Sequence, residues 1–354
     1  MPTDILSFDV PLPRSGQSRA FWRAPGASTA LACAVVAAAR RHDGPILLVA
    51  RDNHAAHQLE SDLRVLAGAG PTLPVLGLPD WETLPYDRFS PHPDIVSQRL
   101  ATLARLPDLK RGIVVVAVAT LMQRLAPLGH VLGNRFDLRT GARLDMDAEK
   151  RRLESAGYRH VPQVQDPGDF AVRGGLLDVY PMGSEAPFRV ELLDDEIDSI
   201  RLFDPESQRS LEKVDAFVLL PGREVPLNEA PVQRALDAIR DRFDIDLRRS
   251  PLVQDLKAGL APAGIEYYLP LFFERGRGQA HATATLFDYL ADTALPVLGD
   301  GIGEAAEHAW KQIRERHEQL RHDVERPLLP PDELWLPPDA LRERLNQGER
   351  VEVC

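Results

Sequence analysis

The sequence predicts an α/β protein in which a parallel sheet clothed in helices is accompanied by a second unit of mixed α+β character. Three observations carry that prediction. Between residues 27 and 134, short near-continuous apolar runs alternate with helical patterns, as strands buried on both faces do. From about Arg135 the pattern changes to period-two alternation broken by turn residues. Beyond Pro221 long helical patterns return.

Taken in order, Ser28 or Thr29 can cap an alanine-rich helix that ends at Arg40 and Arg41 before Gly44, and the strand Ile46-Leu-Leu-Val49 follows. A helix from about His54 to Leu66, a short strand Leu73 to Leu76, a helix from about Asp94 to Leu106 and the strand Ile113 to Ala117 continue the series. One helix near Asp147 to Ala156 opens the second unit. In that unit Phe188, Val190 and Leu192 point one way while Arg189, Glu191 and Leu193 point the other. Gly174 and Gly175 inside an apolar run suggest a bulge or a close backbone approach, and Pro181, Gly183, Ser184 and Pro187 make a loop. A second turn at Asp194 and Asp195 leads to Ile200 to Phe203, giving an antiparallel meander that would expose Arg173, Arg189 and Arg201 among Asp178, Glu191 and Asp198. Helices are then expected over Glu229 to Phe243, Pro251 to Ala258 and Glu304 to about Val324, with Leu295-Pro-Val-Leu298 short enough to be a strand. No internal repeat of 20 to 50 residues is evident.

Composition narrows the function classes. At 354 residues, two or three domains of roughly 100 to 150 residues are expected, and 44% hydrophobic residues suffice to fill their cores. No apolar run approaches the ~20 residues that span a bilayer, and no basic leader precedes an apolar stretch, so a soluble, cytoplasmic protein with no membrane partner is expected. Of two cysteines, Cys33 lies in the alanine-rich helix as a small buried thiol and Cys354 ends the sequence; no disulfide framework or CxxC metal site exists. The 42 basic and 53 acidic residues leave a formal charge of -11, which opposes sequence-independent binding to phosphate backbones. The basic residues are nearly all arginine, which suits bidentate pairing with a carboxylate-bearing partner or reflects genome composition.

The stretch from Gly157 to Asp204 carries strand and turn signals but no catalytic constellation, and so reads as a surface built to be gripped. Its runs Gly-Tyr-Arg-His-Val161, Pro167-Gly-Asp-Phe-Ala-Val-Arg-Gly-Gly-Leu-Leu-Asp-Val-Tyr-Pro181 and Arg189-Val-Glu-Leu-Leu-Asp-Asp-Glu-Ile-Asp-Ser-Ile-Arg-Leu-Phe-Asp204 resemble the UvrA-binding domain of the UvrB nucleotide-excision-repair family. Asp80-Trp-Glu-Thr-Leu-Pro-Tyr-Asp87 with Ser90-Pro-His92, Thr120-Leu-Met-Gln-Arg124, and Arg326-Pro-Leu-Leu-Pro-Pro331 are more similar to the bacterial transcription-repair coupling factors (Mfd). The resemblance covers nearly the whole sequence and is to the amino-terminal, UvrB-homology part of a longer protein.

That resemblance implies a degenerate helicase-like sheet of the P-loop NTPase type, in two parts spanning residues 1–134 and 222–354, with the UvrA-binding α+β unit inserted at residues 135–221. The strand at Leu295 would rejoin the first sheet, and the proline-rich Leu328 to Pro338 segment would lie near a domain edge or linker. It implies UvrA as partner, with Arg173 and Arg189 matching the UvrA-contacting arginines and Leu193 standing where the family commonly has Phe. Recruitment of UvrA to RNA polymerase stalled at DNA damage is the implied role, the protein's own carboxy-terminal domain covering the same face at rest. RNA polymerase, DNA, ATP and magnesium would be handled by motor and polymerase-binding domains beyond these residues.

On the residues themselves, cross-strand salt bridges such as Arg189 with Asp198 remain open beside partner contacts. The ATP motifs are absent. A P-loop needs glycines whose amides cradle phosphate, a lysine for its charge and a hydroxyl for magnesium. There is no Gly-Lys pair, and the matching position reads Ala24-Pro-Gly-Ala-Ser-Thr29, leaving only Gly26, Ser28 and Thr29. Downstream, Gly264-Ile-Glu-Tyr-Tyr268 and Thr285-Leu-Phe-Asp-Tyr289 match the family, but the acidic Asp-Glu pair has become Leu298-Gly-Asp-Gly-Ile302, with Asp300 alone. No cofactor and no catalysis are expected of these residues; a nucleotide-binding or DNA-binding module is the alternative. Gly299, Gly301 and Gly303 have GxGxG spacing and suggest a plain loop, and the ten histidines show no ligand spacing. Trp81, Tyr86 and Phe89 could stack bases, but with no room for a hairpin before the helix their packing inside the protein is the better reading.

Overall fold

The computed structural model describes residues 10–13, 17–23, 28–68, 73–244, 246–277 and 280–354. In chain order the strands are β1 Arg19–Trp22, β2 Pro45–Ala50, β3 Val75–Leu78, β4 Gly112–Ala117, β5 Phe136–Arg139, β6 Arg159–His160, β7 Asp169–Arg173 and β8 Leu176–Val179. Six more follow: β9 Phe188–Leu193, β10 Glu196–Phe203, β11 Ser210–Val214, β12 Ala216–Leu219, β13 Leu295–Leu298 and β14 Arg350–Val353. They form a parallel sheet in the order β1-β14-β13-β2-β4-β3, a second sheet in the order β11-β10-β9-β8-β7-β6, and a two-stranded ribbon of β12 and β5.

The parallel sheet is buried on both faces, which explains its unbroken apolar strands. Leu47, Val49, Val114 and Val116 enter one core, while Ile46, Leu48, Ile113 and Val115 enter the other. Helices Ser28–Arg41 and Asn53–Ala67 cover the second face, and Pro93–Arg105 and Ile302–Leu320 pack on the first. Local chemistry starts two of these helices: the Asp52 carboxylate accepts from the Ala55 amide at 2.8 Å, and Pro93 occupies the first turn of its helix.

The sheet draws strands from both sides of the meander in sequence, since β13 pairs with β2. The short strand expected at Leu73 begins two residues later, at Val75. Within the parallel sheet, two strands are additions to the sequence reading: β1 at the edge, and β14, which lies between β1 and β13. Each is four residues long and flanked by polar residues, too short to register as a period.

The proline-rich segment is not a linker. Leu329 is fully buried, Leu334, Trp335 and Leu336 are nearly so, and the Leu336 amide donates to the Met122 carbonyl at 2.7 Å. Its prolines forgo backbone donors while its leucines and Trp335 fill a core between the parallel sheet and the helices. Trp81 and Tyr86 join that core, Tyr86 donating to the Leu329 carbonyl at 2.8 Å. Phe89 does not; at 70% exposed it departs from the expected packing, because its loop turns outward before the helix begins at Pro93.

Candidate functional site

Pairing in the second sheet sorts its residues between two faces. Phe170, Leu177, Val179, Val190 and Ile200 enter the main core. On the opposite face the ladder sets Arg173 beside Leu176, Leu176 beside Glu191, and Glu191 beside Ser199, whose hydroxyl donates to the Glu191 carboxylate at 2.9 Å. Leu193 lies on that face roughly 7 Å further along β9. It is 69% exposed.

Two hairpins frame this end of the face. Gly174 and Gly175 connect β7 to β8 directly; Gly174 adopts φ +61 and no bulge forms. The close backbone approach is real, since the Gly175 carbonyl accepts from the Leu192 amide at 2.8 Å and a Cβ at Gly175 would stand 3.3 Å from the Leu192 oxygen. Asp194, at φ +58, turns the chain from β9 to β10. Arg173 is exposed beside the first hairpin and donates to the Pro162 carbonyl at 2.7 Å, leaving much of its guanidinium facing solvent.

Arg189 and Asp178 are placed differently from the expected exposed pair. The antiparallel register sets them opposite each other, and the guanidinium grips the carboxylate with Nε to Oδ1 at 2.7 Å and Nη2 to Oδ2 at 2.9 Å. Nη1 donates to the Gln208 carbonyl at 3.1 Å, and the group lies 4.7 Å over the Phe203 ring. The Asp178 side chain is 2% exposed and that of Arg189 14%. This bond raises the Arg189 pKa above its ordinary value, against desolvation. Asp198, the partner suggested by spacing, is exposed at a register shift between Ile197 and Ser199. Arg201 is half-buried.

At the degenerate nucleotide position, Gly26 lies outside the described residues. Ser28 and Thr29 both direct their hydroxyls at Asp62, at 3.1 and 2.9 Å, so the groups that would hold magnesium are engaged by the neighbouring helix. Asp300 is exposed after Gly299, where a Cβ would meet the Val49 carbonyl at 3.0 Å. Elsewhere along the carboxyl edge of the sheet, Asp80 accepts from Asn53, Thr120 and Gln123. Among the described residues no cluster of three or more His, Cys, Asp or Glu could hold a metal ion.

Sequence reasoning passed over Glu266 and Arg223, which meet in a cleft beside the second sheet. A glutamate inside the apolar run Ile265 to Phe272 was the available signal, because an acid there must be buried or break the run.

A family model described as the UvrB interaction domain matches residues 136–224, the segment that contains this second sheet. The transcription-repair-coupling factor of Escherichia coli K12 is 43% identical over 331 residues, 93% of this chain and 28% of that protein. Those of Haemophilus influenzae and Myxococcus xanthus are 39% and 35% identical over 92% and 87% of this chain. The chain spans about a quarter of the length of these relatives. No helix among the described residues is long and apolar enough to cross a membrane. With the family model covering the second sheet and relatives similar across nearly the whole chain, the chain belongs to the amino-terminal, UvrB-related region of the transcription-repair-coupling factors.

Proposed function

We propose that this chain is a non-catalytic adaptor that binds UvrA and so recruits the excision machinery to RNA polymerase stalled at DNA damage. The observation that carries the reading is Leu193, 69% exposed on the same sheet face as Arg173 within the UvrB interaction domain. An exposed apolar side chain beside a partly free guanidinium is the composition of an interface anchor. Arg173 would pair with a UvrA carboxylate and Leu193 would fill an apolar recess. Arg189 belongs to the surface through its outer edge, while its main bond holds Asp178. In the longer relatives the same face would be covered at rest by a carboxy-terminal domain, and RNA polymerase, DNA and ATP would be handled outside these residues.

The parallel sheet is, on this reading, a helicase-like fold that has lost its nucleotide site. In support, β1 leads into helix Ser28–Arg41 and β13 into helix Ile302–Leu320, but the hydroxyls at the first position bond Asp62 and the second offers Asp300 alone. Calorimetric titration with ATP and magnesium should give no heat of binding, and a gel shift at low salt should show no duplex binding; micromolar affinity in either would favour the rival.

The direct test is a UvrA titration of Arg173→Ala, Leu193→Ser and the double variant. The double variant should bind at least tenfold more weakly than wild type with an unchanged circular dichroism spectrum. Undiminished affinity would refute the assignment of this face.

A further inference from the structure

One unexplained feature is a small cleft of about 100 Å³ between the second sheet and the loops that precede helix Pro93–Arg105. Its walls are apolar or backbone: Pro91, Pro93, Val96, Met182, Val225 and the glycines Gly157 and Gly222. Two polar side chains stand in it with unfilled bonding capacity. The Arg223 stem runs along Gly157, and among the described residues its guanidinium makes no hydrogen bond or ion pair. Glu266 is 9% exposed and takes one hydrogen bond on Oε2, from the Ser90 hydroxyl at 2.9 Å, leaving Oε1 open. The other charges that face them are already paired, Asp169 with Arg159 at 2.8 Å and Glu224 with Arg99 at 2.6 Å.

Arg223 is half-buried with no acceptor on its guanidinium, and the buried Glu266 carboxyl beside it is not close enough to pair, so both keep bonding capacity that their surroundings only partly meet. A ligand that bridges the two satisfies both. We propose that this cleft binds a small carboxylate that also carries a hydrogen-bond donor, as an α-amino acid or a free chain terminus does, with the carboxylate on Arg223 and the donor on Glu266. The volume equals about three waters at about 30 Å³ each, which limits the occupant to a group of glycine size or to water.

The titration of Glu266 supplies a signature. Burial pushes its carboxyl up to about 7, with Glu224 raising it further and Ser90 and Arg223 opposing. Above that pH an ionised Glu266 attracts an ammonium group and competes with a carboxylate for Arg223. Glycine should therefore bind more tightly at pH 8 than at pH 6, and acetate should show the reverse order.

The test follows the methyl carbon of Met182, which lines the cleft, by nuclear magnetic resonance while glycine, acetate or methylamine is added to the chain. We expect a saturable shift with glycine, a weaker one with acetate, and a loss of at least tenfold in glycine affinity in Arg223→Gln. No saturable shift with glycine or acetate would mean that the cleft holds water only, and would overturn the proposal. So would saturation by methylamine alone, or glycine binding unchanged in Arg223→Gln. The opposite pH trends of glycine and acetate are read on the wild-type chain, so the proposal stands or falls even if the variant does not fold.

Discussion

Single side chains in this molecule separate recognition from support. Arg173 and Leu193 present themselves to solvent, whereas Arg189 is committed to Asp178, which is 1% exposed. Truncating one partner of a buried pair strands the other, a loss of about 3 to 5 kcal/mol. Arg189→Ala should therefore lower the denaturation midpoint strongly, and Arg189→Ala combined with Asp178→Leu should recover much of it. Equal stability of Arg189→Ala and wild type in urea would show that the pair contributes little. This is why a UvrA-binding defect in Arg189→Ala alone would not distinguish contact from collapse. Glu266 makes a second prediction. Its folded-state pKa of about 7 lies above the usual 4.5, so between those values the folded chain holds more protons than the unfolded chain. Its contribution to stability therefore falls as pH rises from 4.5 to 7, at no more than about 1.4 kcal/mol per pH unit. Glu266→Gln should match wild type near pH 4.5 and exceed it at pH 8 in chemical denaturation; identical pH profiles would show that the carboxyl is not held neutral.

At the scale of elements, the strands and helices follow local rules, and the places where they join follow packing. Gly222, after β12, sits against Gly157, after helix Met146–Ser155, and its amide donates to the Ala156 carbonyl at 2.7 Å. A Cβ there would stand 2.7 Å from the Gly157 carbonyl carbon and 2.9 Å from the Tyr158 nitrogen, both backbone atoms that cannot rotate aside. Gly222→Ala should cost about 1 to 3 kcal/mol in denaturant and perturb the cleft beside it. Gly174→Ala should cost less, because the position is open to solvent and only its φ of +61 is strained. Calorimetric midpoints for the two variants check the order; a larger loss at Gly174 would contradict it. Helix starts could be placed only to within a residue or two, and the side chains that fix them, Asp52, Pro93 and Asp145, act within three residues. Strands β1 and β14 were not legible, since four residues without a partner in sequence carry no distinguishing period.

Across the whole molecule one core runs from Leu47 and Val114 of the parallel sheet through Tyr267 and Trp335 to Phe170 and Val190 of the second sheet. A buried ion pair crosses the same boundary. Arg99, on helix Pro93–Arg105, bonds Glu224, which follows β12, at 2.6 Å, and also reaches the Pro79 carbonyl and Gln123. The two sheets should therefore unfold in one transition, with tryptophan fluorescence and far-ultraviolet circular dichroism sharing a midpoint, and Glu224→Gln should lower both together. Separate midpoints in the wild-type chain would show that the two layers are energetically independent.

The sequence by itself determined the alternation of apolar strands and helices, the antiparallel meander, the missing phosphate-loop lysine and acidic pair, and the family resemblance that singled out Arg173 and Arg189, with Leu193 as its departure from the family. Those are statements about local period, turn chemistry and residue identity, which act over a few neighbouring residues. Only the tertiary structure decided that Arg189 faces Asp178 rather than Asp198, that the segment from Leu328 packs as core, that Phe89 lies outside it, and that Arg223 meets Glu266. Each depends on strand register or on contacts between residues far apart in the chain, and a shift of one residue in register would send Arg189 to the other face.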